Sequence, residues 1–230
     1  MSMQADLGRS DELPDYTRLE ELINMTTHII GGALGFVALF ACVVVAAFHG
    51  NAVGVVSGAV YGLSAVLLFT MSSIYHGLKK GLPKRVFRVL DHCTIYILIA
   101  GTYTPILMGE FRAAHPADAW LVFGAIWGLA AIGLTLTAID RKRFAAFAMV
   151  CYLGMGWMAL FRIGRLVEVL GVPFFALILA GGILYTLGAV FYGLGRKKKY
   201  MHSVFHFFVI AASVLHSVAI AAFIMPGGGS

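Results

Sequence analysis

The sequence predicts an all-α membrane protein: a bundle of seven transmembrane helices, with a cytoplasmic N-terminus and an exterior C-terminus. Three observations carry this reading. The 230 residues are 60% hydrophobic and 12% charged, against about 45–50% and about 25% in soluble domains, and mean hydropathy is +0.88. Seven apolar stretches approach or exceed the roughly 20 residues a helix needs to cross a bilayer core. Lys and Arg collect on alternate connections, a pattern that requires an odd number of crossings.

Residues 1–19 form a polar, acidic tail containing Asp6, Asp11, Glu12 and Asp15. It lacks the basic segment of a secretory signal, so no cleavage is expected. The transmembrane domain spans 20–225. PDYTRLEELIN leads into it as an interfacial prelude, with Tyr16, Leu19, Leu22 and Ile23 on roughly one face. The spans are 23–48, 52–77, 88–108, 119–139, 144–162, 173–194 and 201–224. GGALG at 31–35 and AGGILYTLG at 180–188 supply small residues that let helices approach closely in lipid. Residues 226–230 are a flexible Gly/Ser tail.

The N-terminus and the second, fourth and sixth connections hold 14 of the 17 Lys and Arg residues. The largest group is Lys79, Lys80, Lys84, Arg85 and Arg88 in the second connection. Only Arg112, Arg162 and Arg165 fall on the other side. Positive charge marks the cytoplasmic face, and this places the protein as multi-pass in the cell membrane, the inner membrane if bacterial. The net charge of +6 therefore reports topology. No basic stripe with interleaved aromatics appears, so nucleic acid is not an expected partner. Cys42, Cys93 and Cys151 form no C-x-x-C pair and sit within apolar runs. They read as small buried residues, neither disulfides nor thiolate ligands.

With direction assigned, depth follows. His76 ends span 2, Asp91 begins span 3, and His202 and His206 begin span 7, all at the cytoplasmic end. Ser72 lies one turn before His76 on the same face. Glu21, Asn24 and His28 enter span 1 from the same side. Ionisable groups within a membrane are costly and need a partner or a wet cavity. Neutral imidazole suits zinc, and three His with an open fourth position is a catalytic arrangement. H-x-x-x-H aims two nitrogens at one ion, and His76 supplies a third. Asp91, with Ser72, is placed to orient a ligand or hydrogen-bond a zinc-bound water. The bland alternative makes these residues interfacial groups or caps. His28 reads as packing or supporting the ligands. His92 points about 100° away from Asp91 on the helix. His49 and His115 fall on exterior loops. His216 lies too deep for the same ion and is expected to hydrogen-bond within the bundle or to line a cavity.

S-x-x-x-H at Ser72–His76, Asp91 in LDHCTIYILIAGTYTP, H-x-x-x-H at His202–His206, the opening EELINMTTHIIGGALG and the segment SSIYHGL resemble the hemolysin III family. That family is the bacterial branch of the progestin and adipoQ receptors, related more widely to the alkaline ceramidases. The resemblance covers 20–224. It implies a seven-helix fold with Zn2+ near the cytoplasmic side, held by His76, His202 and His206, with Asp91 contacting it through water and Ser72 beside that water. It further implies membrane lipid as partner and an acyl lipid as substrate.

Three functions are then open. One is an intramembrane zinc-dependent hydrolase of a lipid amide or ester, with Asp91 as general base and Ser72 orienting the water or stabilising the oxyanion. The second is a pore or channel of the kind the family name suggests. A pore should place polar residues along the full membrane depth, whereas Ser64, Thr70, Thr135, Thr137 and Thr186 are scattered. The third is a receptor-like regulator with a structural zinc, whose shell Asp91 could close directly.

Overall fold

The computed structural model describes residues 13–195 and 197–227. The extreme tails, 1–12 and 228–230, lie outside the described residues, and most of the acidic N-terminal segment with them. Helix α1 runs Arg18–Phe48. Its start is a capping box: the Thr17 hydroxyl accepts from Glu20 N–H, and the Glu20 carboxylate accepts from Thr17 N–H. Helix α2, Ala52–Gly77, begins at Asn51, whose Oδ1 accepts from Gly54 N–H at 2.7 Å. Helix α3, Leu82–Met108, has proline in its first turn, where no intrahelical N–H is needed. A short α4, Glu110–Ala114, leads to α5, Pro116–Ile139. Helix α6, Ala145–Gly156, passes through a 3₁₀ turn, Met158–Arg162, into α7, Ile163–Leu194. Helix α8, Met201–Ala219, continues as a π turn, Ile220–Ile224.

Five helical stretches among the described residues are long and apolar enough to cross a membrane: Arg18–Phe48, Ala52–Gly77, Pro116–Ile139, Ala145–Leu194 and Met201–Ile224. The fourth folds back on itself. Trp157 Nε1 donates to Thr186 Oγ1 at 3.0 Å across 29 residues, and a straight helix would hold those positions about 44 Å apart. Gly171 at φ +82, followed by Pro173, breaks the regular helix within α7. Residues 163–170, expected to be loop, are helical up to that break.

Helix α3 fails the same criterion for a physical reason. It carries Lys84, Arg85, Arg88 and Asp91 and several hydroxyl residues, yet it buries every residue from Ala100 to Met108. It packs against α2 and α5. A helix shielded by its neighbours meets little lipid, so its hydropathy can fall. Close approach elsewhere depends on glycine. A Cβ on Gly62 would meet Leu39 Cα of α1 at 2.5 Å, so α1 and α2 touch backbone to backbone there.

At the end of the bundle remote from His76, Asn51 Nδ2 donates to the carbonyls of Met225, at 3.2 Å, and Gly227. This ties the start of α2 to the close of the π turn. Asp118, at the start of α5, pairs with Arg162 and Arg165. The expected Tyr16 face needs correction. Leu19 and Leu22 point outward, but Tyr16 precedes the N-cap, escapes the helical period, and turns inward over His202 with ring centroids 4.9 Å apart.

Candidate metal centre

Two helices bring the histidines together. His76 lies in the last turn of α2, and His202 and His206 occupy the first two turns of α8. All three are buried, and each offers a ring nitrogen within 4.8 Å of the others. His202 Nε2 and His206 Nε2 are 3.1 Å apart. His76 gives its Nδ1 to Glu21 Oε2 at 2.6 Å, and its Nε2 is buried without a partner among the described residues.

This donor set fits a metal ion. Two imidazole nitrogens on a tetrahedral ion at about 2.0–2.1 Å lie about 3.3–3.4 Å apart, close to the His202–His206 separation. The His76–Glu21 pair has the form of a carboxylate–histidine–metal triad, in which the carboxylate fixes tautomer and ring direction. His206 has its Nδ1 3.5 Å from the Thr27 hydroxyl, leaving Nε2 turned toward the cluster. Three imidazoles suit zinc, and equally copper, iron or nickel.

The other expected residues divide. Glu21 supports His76 directly. Asn24 is fully buried and accepts from Ser203 Oγ at 2.6 Å, tying α1 to α8. His28 stacks on His206, centroids 3.8 Å apart, and meets Phe69 edge-on. Among the described residues both its ring nitrogens lack a partner, as does Asn24 Nδ2, so unsatisfied buried polar atoms continue from the three histidines into α1. Ser72 is buried on α2 and reaches the Asp91 side chain on α3. Asp91 is not one of the mutually close donors. It sits beside Arg88 and 3.9 Å from His92 Nδ1.

The remaining histidines have other partners. His92 bonds the Arg88 carbonyl at 2.9 Å and the Tyr192 hydroxyl at 3.2 Å. His216 bonds the Ile178 carbonyl at 3.1 Å, the intrabundle bond expected for it. His49 is exposed and bonds the Val45 carbonyl. The three cysteines are free and buried.

Sequence reasoning missed three features around the centre. Tyr16 caps it, its ring stacked on His202 and 5.9 Å from His76. Glu20, beside the expected Glu21, accepts from Tyr200 N–H at 2.6 Å and holds that residue at φ 64. Lys84, counted as a topology charge, is buried against Glu21 at 2.9 Å. The first could not be seen because Tyr16 lies outside the helix. The second needed only the capping-box pattern T-x-x-E at Thr17–Glu20.

The haemolysin-III related family model matches residues 16–217. The chain is 37% identical over 207 residues to Hemolysin-3 of Bacillus cereus, covering 90% of this chain and 93% of that protein. It is 34% identical over 198 residues to a Hemolysin-3 homolog of Bacillus subtilis (strain 168), covering 86% and 91%. The match contains every residue of the histidine cluster, and the apolar helices make the chain a multi-pass protein of the cell membrane. The chain thus belongs to the haemolysin-III related family.

Proposed function

We propose that the protein is a zinc-dependent hydrolase of a lipid amide or ester, working in the cytoplasmic leaflet. In this reading the chain crosses seven times with its N-terminus inside, α3 and the two arms of Ala145–Leu194 supplying the three crossings beyond the other four apolar helices. The distribution of Lys and Arg supports that direction.

One observation carries the proposal. Three imidazoles converge, and among the described residues no carboxylate joins that donor set. Structural zinc sites close their shell with four protein ligands, whereas catalytic sites use three and leave a position open. Zinc bound there would polarise a carbonyl and bring the pKa of a water toward about 7. His76, His202 and His206 hold the ion, and Glu21 keeps His76 in register. Asp91 accepts a proton from the attacking water and returns it to the leaving group. Ser72 orients the Asp91 carboxyl.

The substrate class follows from what adjoins the site. An apolar cleft of about 200 Å³ runs between α1, α2 and α8, lined by Gly31, Leu34, Ala38, Phe69, Ile210 and Val218 among others. Phe69, at the wall of the cleft, packs on His28, and His28 on His206, so the cleft stops two rings short of the histidine cluster. An acyl chain fits such a wall, with its carbonyl toward the histidines.

The test is turnover of a panel of fluorescent lipid amides and esters by zinc-loaded protein in detergent. Wild type releases fatty acid, and Asp91→Asn abolishes release while retaining zinc. Equal release by wild type and Asp91→Asn, or by His76→Ala, contradicts the reading.

A further inference from the structure

We propose that Lys84 is a positioning residue for the metal centre, acting through Glu21 on His76. This rests on reading the three histidines as a metal centre and goes beyond it by naming what holds the supporting carboxylate.

Lys84 is only 2% exposed. A buried ammonium is costly unless its three donors are engaged. Lys84 Nζ lies 2.9 Å from Glu21 Oε1, 2.9 Å from the Tyr75 carbonyl, 2.9 Å from the Leu78 carbonyl and 3.4 Å from the His76 carbonyl. It also stands 4.9 Å from the centroid of the Tyr75 ring. The cation therefore sits at the C-terminal end of α2, where carbonyls lack intrahelical partners and the helix dipole favours positive charge.

Glu21 is shared. One carboxylate oxygen meets Lys84 and the other meets His76 Nδ1 at 2.6 Å. The backbone and the imidazole of His76 are thus both referenced to one ammonium, the backbone directly and the ring through Glu21. Without the ammonium, Glu21 would keep one oxygen on His76 and lose the contact that fixes its rotamer. The ring of His76 would then be free to swing Nε2 away from His202 and His206. Lys80, four residues earlier, shows the contrast. Its side chain is 63% exposed and pairs with an exposed Asp15.

Zinc affinity of purified full-length protein in detergent, measured by chelator competition, decides the matter through a double-mutant cycle. Glu21→Gln and Lys84→Gln are each expected to weaken zinc binding about 10–100-fold, the usual effect of losing a partner behind a ligand. In the Glu21→Gln background, Lys84→Gln is expected to add less than about 3-fold, because its route to His76 is already cut. If Lys84→Gln weakens binding by the same factor in both backgrounds, Lys84 is a helix cap only and the proposal fails. It fails also if Lys84→Gln leaves affinity unchanged. Should Lys84→Gln not yield a monodisperse protein, the cycle is run with Lys84→Met, which keeps an unbranched stem but removes every donor to Glu21, and the same two outcomes decide. A wild-type protein that binds neither zinc nor another imidazole-preferring ion overturns the metal reading itself, and that result appears before any variant is made.

Discussion

Helices α3 and α5 lie side by side and could hardly be built more differently. Helix α5 buries a single stripe, Ala119, Val122, Ile126, Ala130, Gly133 and Thr137, at the spacing of one helix face. The rest of it faces outward, with Trp120, Leu121, Ile132 and Ile139 exposed. Helix α3 buries nine consecutive residues, Ala100 to Met108, and carries Lys84, Arg88 and Asp91 in its first three turns. The more buried helix is the less apolar one. In a membrane, the outer helix must match hydrocarbon on most of its surface, while the inner one must match only its neighbours. Hydropathy reports contact with lipid, and it is a poor guide to depth within the bundle.

The difference can be broken at the metal end first. Removing a ligand outright, as in His206→Ala, should weaken metal binding by more than the 10–100-fold loss typical of an outer partner, with the metal content of purified protein as the readout. The inner-versus-outer contrast is sharpened next by two glycines. Gly62→Ala drives a Cβ into the α1 backbone at Leu39 and should cost about 2–3 kcal/mol. Gly128→Ala on the outer face of α5 has nothing within 4 Å and should stay within about 0.5 kcal/mol. Equal melting temperatures for the two variants would dissolve the contrast. Glu20→Ala removes both the α1 capping box and the bond to Tyr200 N–H, and should cost about 1–2 kcal/mol.

The smallest effect belongs to Asp15. Lys80, bonded to it at 2.7 Å, holds its carboxyl below the usual carboxylate range. A depressed carboxylate contributes stability above its unfolded pKa of about 4 and loses it as pH falls through the lower folded value. The pair is exposed and screened by salt. Lys80→Ala should therefore leave the melting temperature unchanged at neutral pH and physiological ionic strength.

Much of the centre could be read from spacing alone. Ser72 with His76, and His202 with His206, are four residues apart, so a helix must stack each pair. Asp91 and Glu21 drew attention as carboxylates at the end of an apolar run. Lys84 was invisible for the opposite reason: it stands among Lys79, Lys80, Arg85 and Arg88, and sequence cannot tell the one turned under a helix end from those left in solvent. The reversal within Ala145–Leu194 was legible because Arg162 and Arg165 interrupt it, whereas the helical turns at 163–170 were hidden by the Gly171–Pro173 break that follows. Tyr16 was assigned to a face of a helix that begins two residues later. Lys84 and Tyr16 share a cause: each takes its role from tertiary contact at a helix end, where periodicity stops.

The claim on which the rest depends is that three imidazoles, from α2 and α8, grip one ion. X-ray absorption at the metal edge of protein purified without added chelator tests it most directly. The account predicts one zinc per chain with three imidazole nitrogens at about 2.0–2.1 Å, falling to two in His76→Ala if that variant still retains metal. A shell with sulfur, with fewer than three imidazoles in wild type, or unchanged by His76→Ala would contradict it.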